Sequence, residues 1–252
     1  MINFFRRIRK KLLAESRFTK YLLYGIGEIV LVVIGILIAL QINNWNEDKK
    51  TAKQEIKILN ELKNDLETNL NEIIETYNTT RHRELSAVLI LDYFDKVKPV
   101  DDSLKQAFEN INMDGLFNIS NTSYKFIESQ GINSLSNDSL RIRVTEMYER
   151  HLKNILTREN INLEIINEEL IPLMNDRFLS SPTIDKTVSF AVEAINTPKN
   201  IESLREDAIF KNVIVRLQNW LLVRLKWQQV ARTNLEQLIA DVEKEIDRLK
   251  LK

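Results

Sequence analysis

The sequence predicts an all-α protein with a basic amphipathic segment at its N-terminus, one transmembrane helix, and an elongated extracytoplasmic bundle of about three long helices plus short ones. Its 252 residues include only five Gly and four Pro, too few for the tight turns of a sheet-rich fold. Residues 21–42 hold a single charge, and the chain beyond them repeats its apolar residues at helical spacing. We therefore predict a head (1–20), a span (21–42) and a helical body (43–252).

Composition excludes several classes of protein. A chain that is 44% hydrophobic is too apolar to be disordered. The absence of Cys excludes a disulfide framework, a Cys-ligated metal site and a thiol nucleophile. The zero net charge is a cancellation between a head of +6, a body of −5 and Glu28.

The run from Tyr21 to Leu40 is apolar apart from Glu28. Twenty helical residues at about 1.5 Å each span about 30 Å, the thickness of a bilayer's hydrocarbon core. One alternative is a buried helix of a soluble protein, and another is a cleaved signal peptide. Because the run is longer than the usual hydrophobic region of a signal peptide and lacks a small-x-small cleavage pattern near Ala39, we predict an uncleaved signal anchor.

Basic flanks stay in the cytoplasm, so the N-terminus should lie inside and residues after about 42 outside. Residues 2–13 place apolar side chains at helical spacing between basic ones; they either lie in the headgroup layer or only set the topology. We do not expect them to bind nucleic acid. The predicted membrane-interface residues are Arg6, Arg7, Arg9, Lys10, Lys11, Tyr21, Tyr24 and Trp45.

Glu28 is the most unusual residue, because a carboxylate inside an apolar span is costly and tends to face a partner. Steps of three and four from it place Gly25, Val32, Gly35 and Ala39 on its face, and small residues there permit close helix packing. We hypothesise a transmembrane packing face. The alternative is a lone carboxyl that reaches back toward the basic interface.

The body reads as helices. A heptad-type stripe of apolar residues runs from Ala52 to Phe94, with polar breaks at Lys63, Thr80 and Glu84, and should weaken near 78–80 and end at Lys98-Pro99. Short helices are predicted at 102–111 and at 122–130. A long helix should start at Asn137 and kink at Pro172.

Thr197-Pro198 should break the chain before the last helix. Ser203 to Glu206 has the spacing of a capping box and should open that helix, in which Trp220 and Trp227 would be core or interface anchors.

Candidate catalytic chemistry is sparse. Asn110 to Gly115 resembles the start of a calcium loop, but its twelfth position is Asn121 rather than Glu, so we interpret it as a turn. We expect His82 to be solvated and His151 to be a half-buried packing residue. Since the sequence has no catalytic motif, we expect no enzyme, cofactor or metal.

The segment from Ile26 to Glu47, IGEIVLVVIGILIALQINNWNE, closely resembles a family of uncharacterised single-span proteins from Bacteroidota. Ser123-Tyr124, Ser129-x-Gly131 and Ser136 to Leu140 form a second, looser match. The resemblance implies a Gram-negative inner-membrane protein with a periplasmic body, with Glu28 part of the family's pattern. It implies no catalytic residues.

We therefore expect a non-enzymatic interaction or scaffold component of a membrane complex. Its partners would be the lipid bilayer and, through the transmembrane helix, a second copy or another membrane protein. The alternative is a periplasmic sensor or small-ligand-binding bundle that signals through a partner.

Overall fold

A computed structural model describes residues 6, 18–113, 115–131, 135–182 and 194–251. Most of these residues are helical, and two short segments form β-strands. The α-helices are α1 (Phe18–Asp95), α2 (Asp102–Asn110), α3 (Thr122–Gln130), α4 (Asp138–Glu146), α5 (Lys153–Glu164), α6 (Ile171–Arg177), α7 (Ile201–Arg205) and α8 (Ala208–Lys250). The π-helical turns are π1 (Met147–Leu152) and π2 (Ile165–Leu170), and the strands are β1 (Phe178–Pro182) and β2 (Ala194–Pro198).

The chain divides into two compact units, one ending at Gln54 and the other running from Glu55 to Leu251. The first unit contains the beginning of α1. Every side chain from Ile26 to Lys50 is exposed, and the most apolar stretch has a mean hydropathy of 2.6 with none of it buried. The described chain therefore contains one helix, α1, that is long enough and apolar enough to cross a membrane.

The second unit, hereafter the body, has its own hydrophobic core. Four phenylalanine rings from different elements meet there: Phe108 lies 4.8 Å from Phe178 and 6.4 Å from Phe210, and Phe94 lies 6.1 Å from Phe210. Helix α5 and both π-helical turns pack along α8. The α-helical class predicted from the sequence is thus confirmed, with aromatic packing at one end of α1 and α8.

Helix α1 does not weaken near residues 78–80, contrary to the prediction. The hydroxyls of Thr76 and Thr80 donate to the carbonyl oxygens four residues earlier at 2.8 and 2.7 Å, so the helix backbone satisfies them without a break. Thr80 and Glu84, which the sequence pattern treats as interruptions, are buried on the inner face of α1.

The chain between α6 and α7 contains a feature the sequence analysis missed. Strands β1 and β2 pair antiparallel, with Phe178 opposite Pro198 and Pro182 opposite Ala194. The expected break at Thr197-Pro198 is therefore the end of a strand. Proline is tolerated at these two positions because both strands lie at the edge of a two-stranded sheet.

Two predictions of local helix structure are also revised. Where the sequence predicts a kink at Pro172, the helix contains the π-helical turn π2, which ends two residues before the proline. Pro172 itself lies in the first turn of α6, where its missing N–H does no harm. Ser203 does not open the last helix. Asn200 caps α7 and Asp207 caps α8, accepting from the backbone N–H groups of Ile209 and Phe210.

Candidate functional sites: the apolar helix and the polar contacts of the body

The predicted packing face lies on the exposed apolar part of α1. Glu28, Val32, Gly35 and Ala39 are exposed, and Gly25 is half-buried. A Cβ added at Gly25 or Gly35 would meet no other described atom within 4 Å. This face thus leaves backbone open to close approach by another helix.

Of the predicted membrane-interface residues, Arg6 is exposed and Tyr24 half-buried. Trp45 is 56% exposed, and the Lys49 ammonium lies 3.8 Å from its ring centroid, within cation–π range. Arg7, Arg9, Lys10, Lys11 and the side chain of Tyr21 lie outside the described residues.

In the body, Asp65 of α1 holds the start of α3. Its carboxylate accepts from the Ser120 hydroxyl at 2.6 Å, the Ser123 N–H at 2.8 Å and the Ser123 hydroxyl at 2.5 Å. Asn121, the residue at the capping position of α3, makes no side-chain cap, so Asp65 caps this helix from a distance. Burial pushes the Asp65 pKa upward, but these hydrogen bonds outweigh it and hold the pKa below its ordinary value.

Asn69 extends this contact one turn along α1. Its side chain is fully buried and exchanges two hydrogen bonds of 2.8 Å with the Ser120 backbone. Beside it, Tyr148 stacks on Tyr124 with centroids 4.5 Å apart. Burial, followed by the nearby Glu149 carboxylate, raises the pKa of Tyr124 to about 12, and burial raises that of Tyr148 further.

A second carboxylate, Glu55, holds the start of α4. It accepts from the Ser136 N–H at 2.7 Å and the Ser136 hydroxyl at 3.0 Å. Asn137 caps α4 as predicted, through Leu140 N–H, and its amide nitrogen donates to Glu245 of α8 at 2.9 Å. Asp65 and Glu55, the two docking carboxylates, thus fasten two separate loops to α1.

A buried polar contact lies between α5, α8 and the loop before α3. Arg224 donates to the Glu159 carboxylate at 2.9 Å and to the Gly115 carbonyl oxygen at 2.8 Å. Glu159 also accepts from the Phe117 N–H at 3.0 Å. Because Arg224 and Glu159 are only 1% and 3% exposed, this charged pair is shielded from solvent on all sides.

Helix α1 joins this contact through Arg83, which is also buried. Its Nε donates to the Ile111 carbonyl oxygen at 3.1 Å. With its amide oriented by its neighbours, Asn162 accepts from Arg83 at 2.9 Å and from Arg224 at 3.3 Å. The buried polar network (Arg83, Glu159, Asn162, Arg224) thus ties three long helices to one loop.

Sequence reasoning missed these residues, although a signal was present. Polar residues recur on the buried stripe of α1 at helical spacing, with steps of seven, four and three from Asn69 to Thr76, Thr80 and Arg83, and Glu84 lies four residues after Thr80. Polar side chains at such positions require partners. The looser family-like patch has a structural role as well, since its Ser123 and Ser136 contact the docking carboxylates.

The remaining candidates carry little chemistry. His82 is exposed and His151 half-buried, as predicted; burial lowers the pKa of His151. Asn110 ends α2, and Asp114 of the calcium-loop resemblance lies outside the described residues. Trp227 is half-buried beneath the Arg158 guanidinium, 4.1 Å from its ring centroid. Among the described residues no three His, Asp or Glu side chains are grouped to hold a metal ion.

Comparison with known proteins gives one match. Residues 28–171 match the model of a family described as a family of unknown function, DUF6090. The matched range begins at Glu28 and includes both docking carboxylates and Glu159. No curated protein and no solved structure matches the chain significantly.

Proposed function

We propose that this chain, which belongs to the DUF6090 family of unknown function, is a single-pass membrane protein whose helical body is a non-enzymatic interaction or scaffold component of a membrane complex. One observation carries the proposal: five turns of α1 expose large aliphatic side chains, such as Leu31 at 67%, with none of the most apolar stretch buried. Such a surface is stable only against lipid or another apolar helix.

The proposed orientation places the head in the cytoplasm and residues 43–252 in the periplasm, with the span in the inner membrane. It is supported by the basic residues that precede the span and by the resemblance of Ile26–Glu47 to single-span proteins of Bacteroidota. A reporter that works only in the periplasm should be active when fused after Lys252. Activity of a cytoplasm-specific reporter at that position would overturn the orientation.

The scaffold role is supported by how the body uses its polar groups. The docking carboxylates and the buried polar network bind the chain's own loops and helices, with their oxygen and nitrogen atoms directed inward. Charged groups arranged in this way stabilise the folded structure of the body. The face of Glu28 on the apolar helix is then the surface proposed to meet a partner helix.

Because the sequence contains no Cys, an introduced cysteine is the only thiol of this chain that can form a crosslink. In native membranes, the single-cysteine variant Ala39→Cys should give a specific disulfide- or crosslinker-dependent adduct, either a dimer or a complex with another membrane protein. Leu37→Cys, on the opposite side of the same helix, is the matched control and should give much less.

Adding Glu28→Ala to the Ala39→Cys variant should reduce the adduct several-fold, because it removes the polar contact on that face. The packing hypothesis fails if both cysteine positions crosslink equally, or if Glu28→Ala has no effect. A lone monomer recovered throughout from mild detergent would overturn the interaction role.

The alternative function, a sensor that binds a small ligand, is favoured by one observation. Two shallow grooves of about 270 and 300 Å³ share His82 and Asn110 between α1 and α2, close to the lower limit for ligand sites. Thermal stabilisation of the full chain by small polar compounds, abolished in His82→Ala, would support it. No stabilisation across a broad compound set would remove it.

A further inference from the structure

We propose that the first turns of α1 beyond the apolar run bind the anionic headgroups of phospholipids in the leaflet where the helix emerges. The site consists of Lys49, Lys50 and Lys53 next to Trp45. This inference rests on the proposed membrane span. It adds a ligand class, the lipid phosphate, and a set of residues that recognise it.

The geometry of the helix collects these residues on one side. Trp45, Lys49 and Lys53 follow one another at four-residue steps, so they lie along one face, and Lys50 lies next to them. All four are exposed. Side chains of a helix lean toward its N-terminus, which for this segment is toward the apolar run. The Lys49 ammonium does so, since it lies 3.8 Å from the Trp45 ring centroid.

This lean fixes the depth of the positive charge. A tryptophan ring next to an apolar span lies at the headgroup level of a bilayer. The Lys49 ammonium shares that level, and Lys53 stands about 6 Å further along the helix axis, roughly one turn higher. Both ammonium groups are therefore within reach of headgroup phosphates, which a lysine binds as a point charge.

The three lysines of this segment form no ion pair with a described acid. At 100° per residue, Lys49 and Lys53 lie about 100° or more from the acids Glu47 and Asp48, and Lys50 lies about 60° from Glu47. The structure pairs none of the three lysines with a described acid, whereas Lys57 and Lys63 further along α1 both form ion pairs. A basic side without acid partners, directly at the end of an apolar run, is complementary to an anionic lipid surface.

The test uses the full chain in mixed micelles of phosphatidylglycerol and phosphatidylcholine, with bound lipids counted by native mass spectrometry. The wild-type protein should retain phosphatidylglycerol in preference to phosphatidylcholine. Each lysine near an anionic surface is worth about 1 kcal/mol, about fivefold in affinity. The triple variant Lys49→Gln/Lys50→Gln/Lys53→Gln should therefore lose more than fivefold, and up to about 100-fold, in that preference.

The matched control is Lys153→Gln/Lys244→Gln/Lys250→Gln, which removes the same charge from exposed lysines of the body. It should keep the wild-type preference. Equal preference in wild type and triple variant, or equal loss in the control, overturns the inference. If inorganic phosphate binds these lysines more tightly than phosphatidylglycerol does, the ligand is free phosphate and the lipid assignment is wrong.

Alkaline carbonate extraction of wild-type membranes separates this failure from failure of the proposed function. A protein that stays with the membrane but shows no lipid preference retains its proposed span and loses only the headgroup site. A protein released by carbonate loses the span, and the headgroup site with it. A preference for an acidic protein over lipid in co-purification would also reject the lipid assignment.

Discussion

Single residues of α1 decide how the loops of the body are placed. Asp65 and Glu55 each accept from a serine N–H and from the same serine's hydroxyl. In both cases an ionised acceptor satisfies the first donors of a segment that leads into a helix. A carboxylate suits this role because hydrogen bonds to a charged acceptor are about twice as strong as neutral ones.

Asp65→Asn should destabilise the full-length protein by about 2 kcal/mol at pH 7, because hydrogen bonds to a charged group are lost and an amide nitrogen faces donors. Chemical unfolding in mild detergent, followed by circular dichroism, would measure it. Glu61→Gln on the same helix, exposed and only weakly paired with Lys57, should change stability by less than about 0.5 kcal/mol.

The effect of Asp65→Asn should also depend on pH. The folded-state pKa of Asp65 lies below its ordinary value of 3.8, so its stabilisation is complete above that value and is lost as pH falls through the folded pKa. The gap between wild type and variant should therefore stay constant from pH 7 to about pH 4 and close below it. A gap that is the same at pH 2.5 and pH 7 would contradict the role of the ionised form.

Sequence reasoning finds residues whose partners are close along the chain and misses those whose partners are distant. Asn137 is predictable as a cap because the backbone N–H from which it accepts, that of Leu140, is three residues away. The partners of Asp65 and Arg224 lie 58 and 65 residues away, and no local pattern identifies them. The pattern does show polar residues on a buried stripe. It therefore indicates that these residues have partners, but it does not identify the partners.

Among the elements, α8 shows how a cap is chosen. Both Ser203 and Asp207 precede its apolar series, and the spacing of Ser203 and Glu206 fits a capping box. The chain instead forms the short helix α7 and restarts at Asp207, whose carboxylate accepts from two backbone N–H groups at 2.9 and 3.0 Å and also pairs with Arg177. The tertiary ion pair favours Asp207, and it is invisible in the local sequence.

Asp207→Ala should cost about 1–2 kcal/mol, the range for the loss of a helix cap. Ser203→Ala should cost only a few tenths of a kcal/mol, since Ser203 is exposed inside α7. Urea unfolding of both variants in the full chain would measure the difference. If Ser203→Ala proved the more damaging of the two, Ser203 rather than Asp207 would be the residue that caps the last helix.

On the scale of the whole molecule, the apolar surface is partitioned between the two units. Exposed aliphatic residues are concentrated in the first unit, from Leu22 to Ile42, whereas the body buries side chains such as Leu62, Leu66 and Phe108 completely. A unit that holds its own core needs neither lipid nor the apolar helix to stay folded. Detergent should then be required by the first unit alone.

A fragment of residues 51–252 should therefore be soluble without detergent, helical by circular dichroism, and cooperative in thermal unfolding. Its Glu55→Gln variant should melt lower by roughly 2–4 °C for each kcal/mol lost, the scale for a domain of this size, because Ser136 loses its charged acceptor. Thermal melts and size-exclusion chromatography at several concentrations would measure both. Aggregation of the fragment, or unfolding without a cooperative transition, would show that the body depends on residues 1–50 and would contradict the division at Gln54 and Glu55.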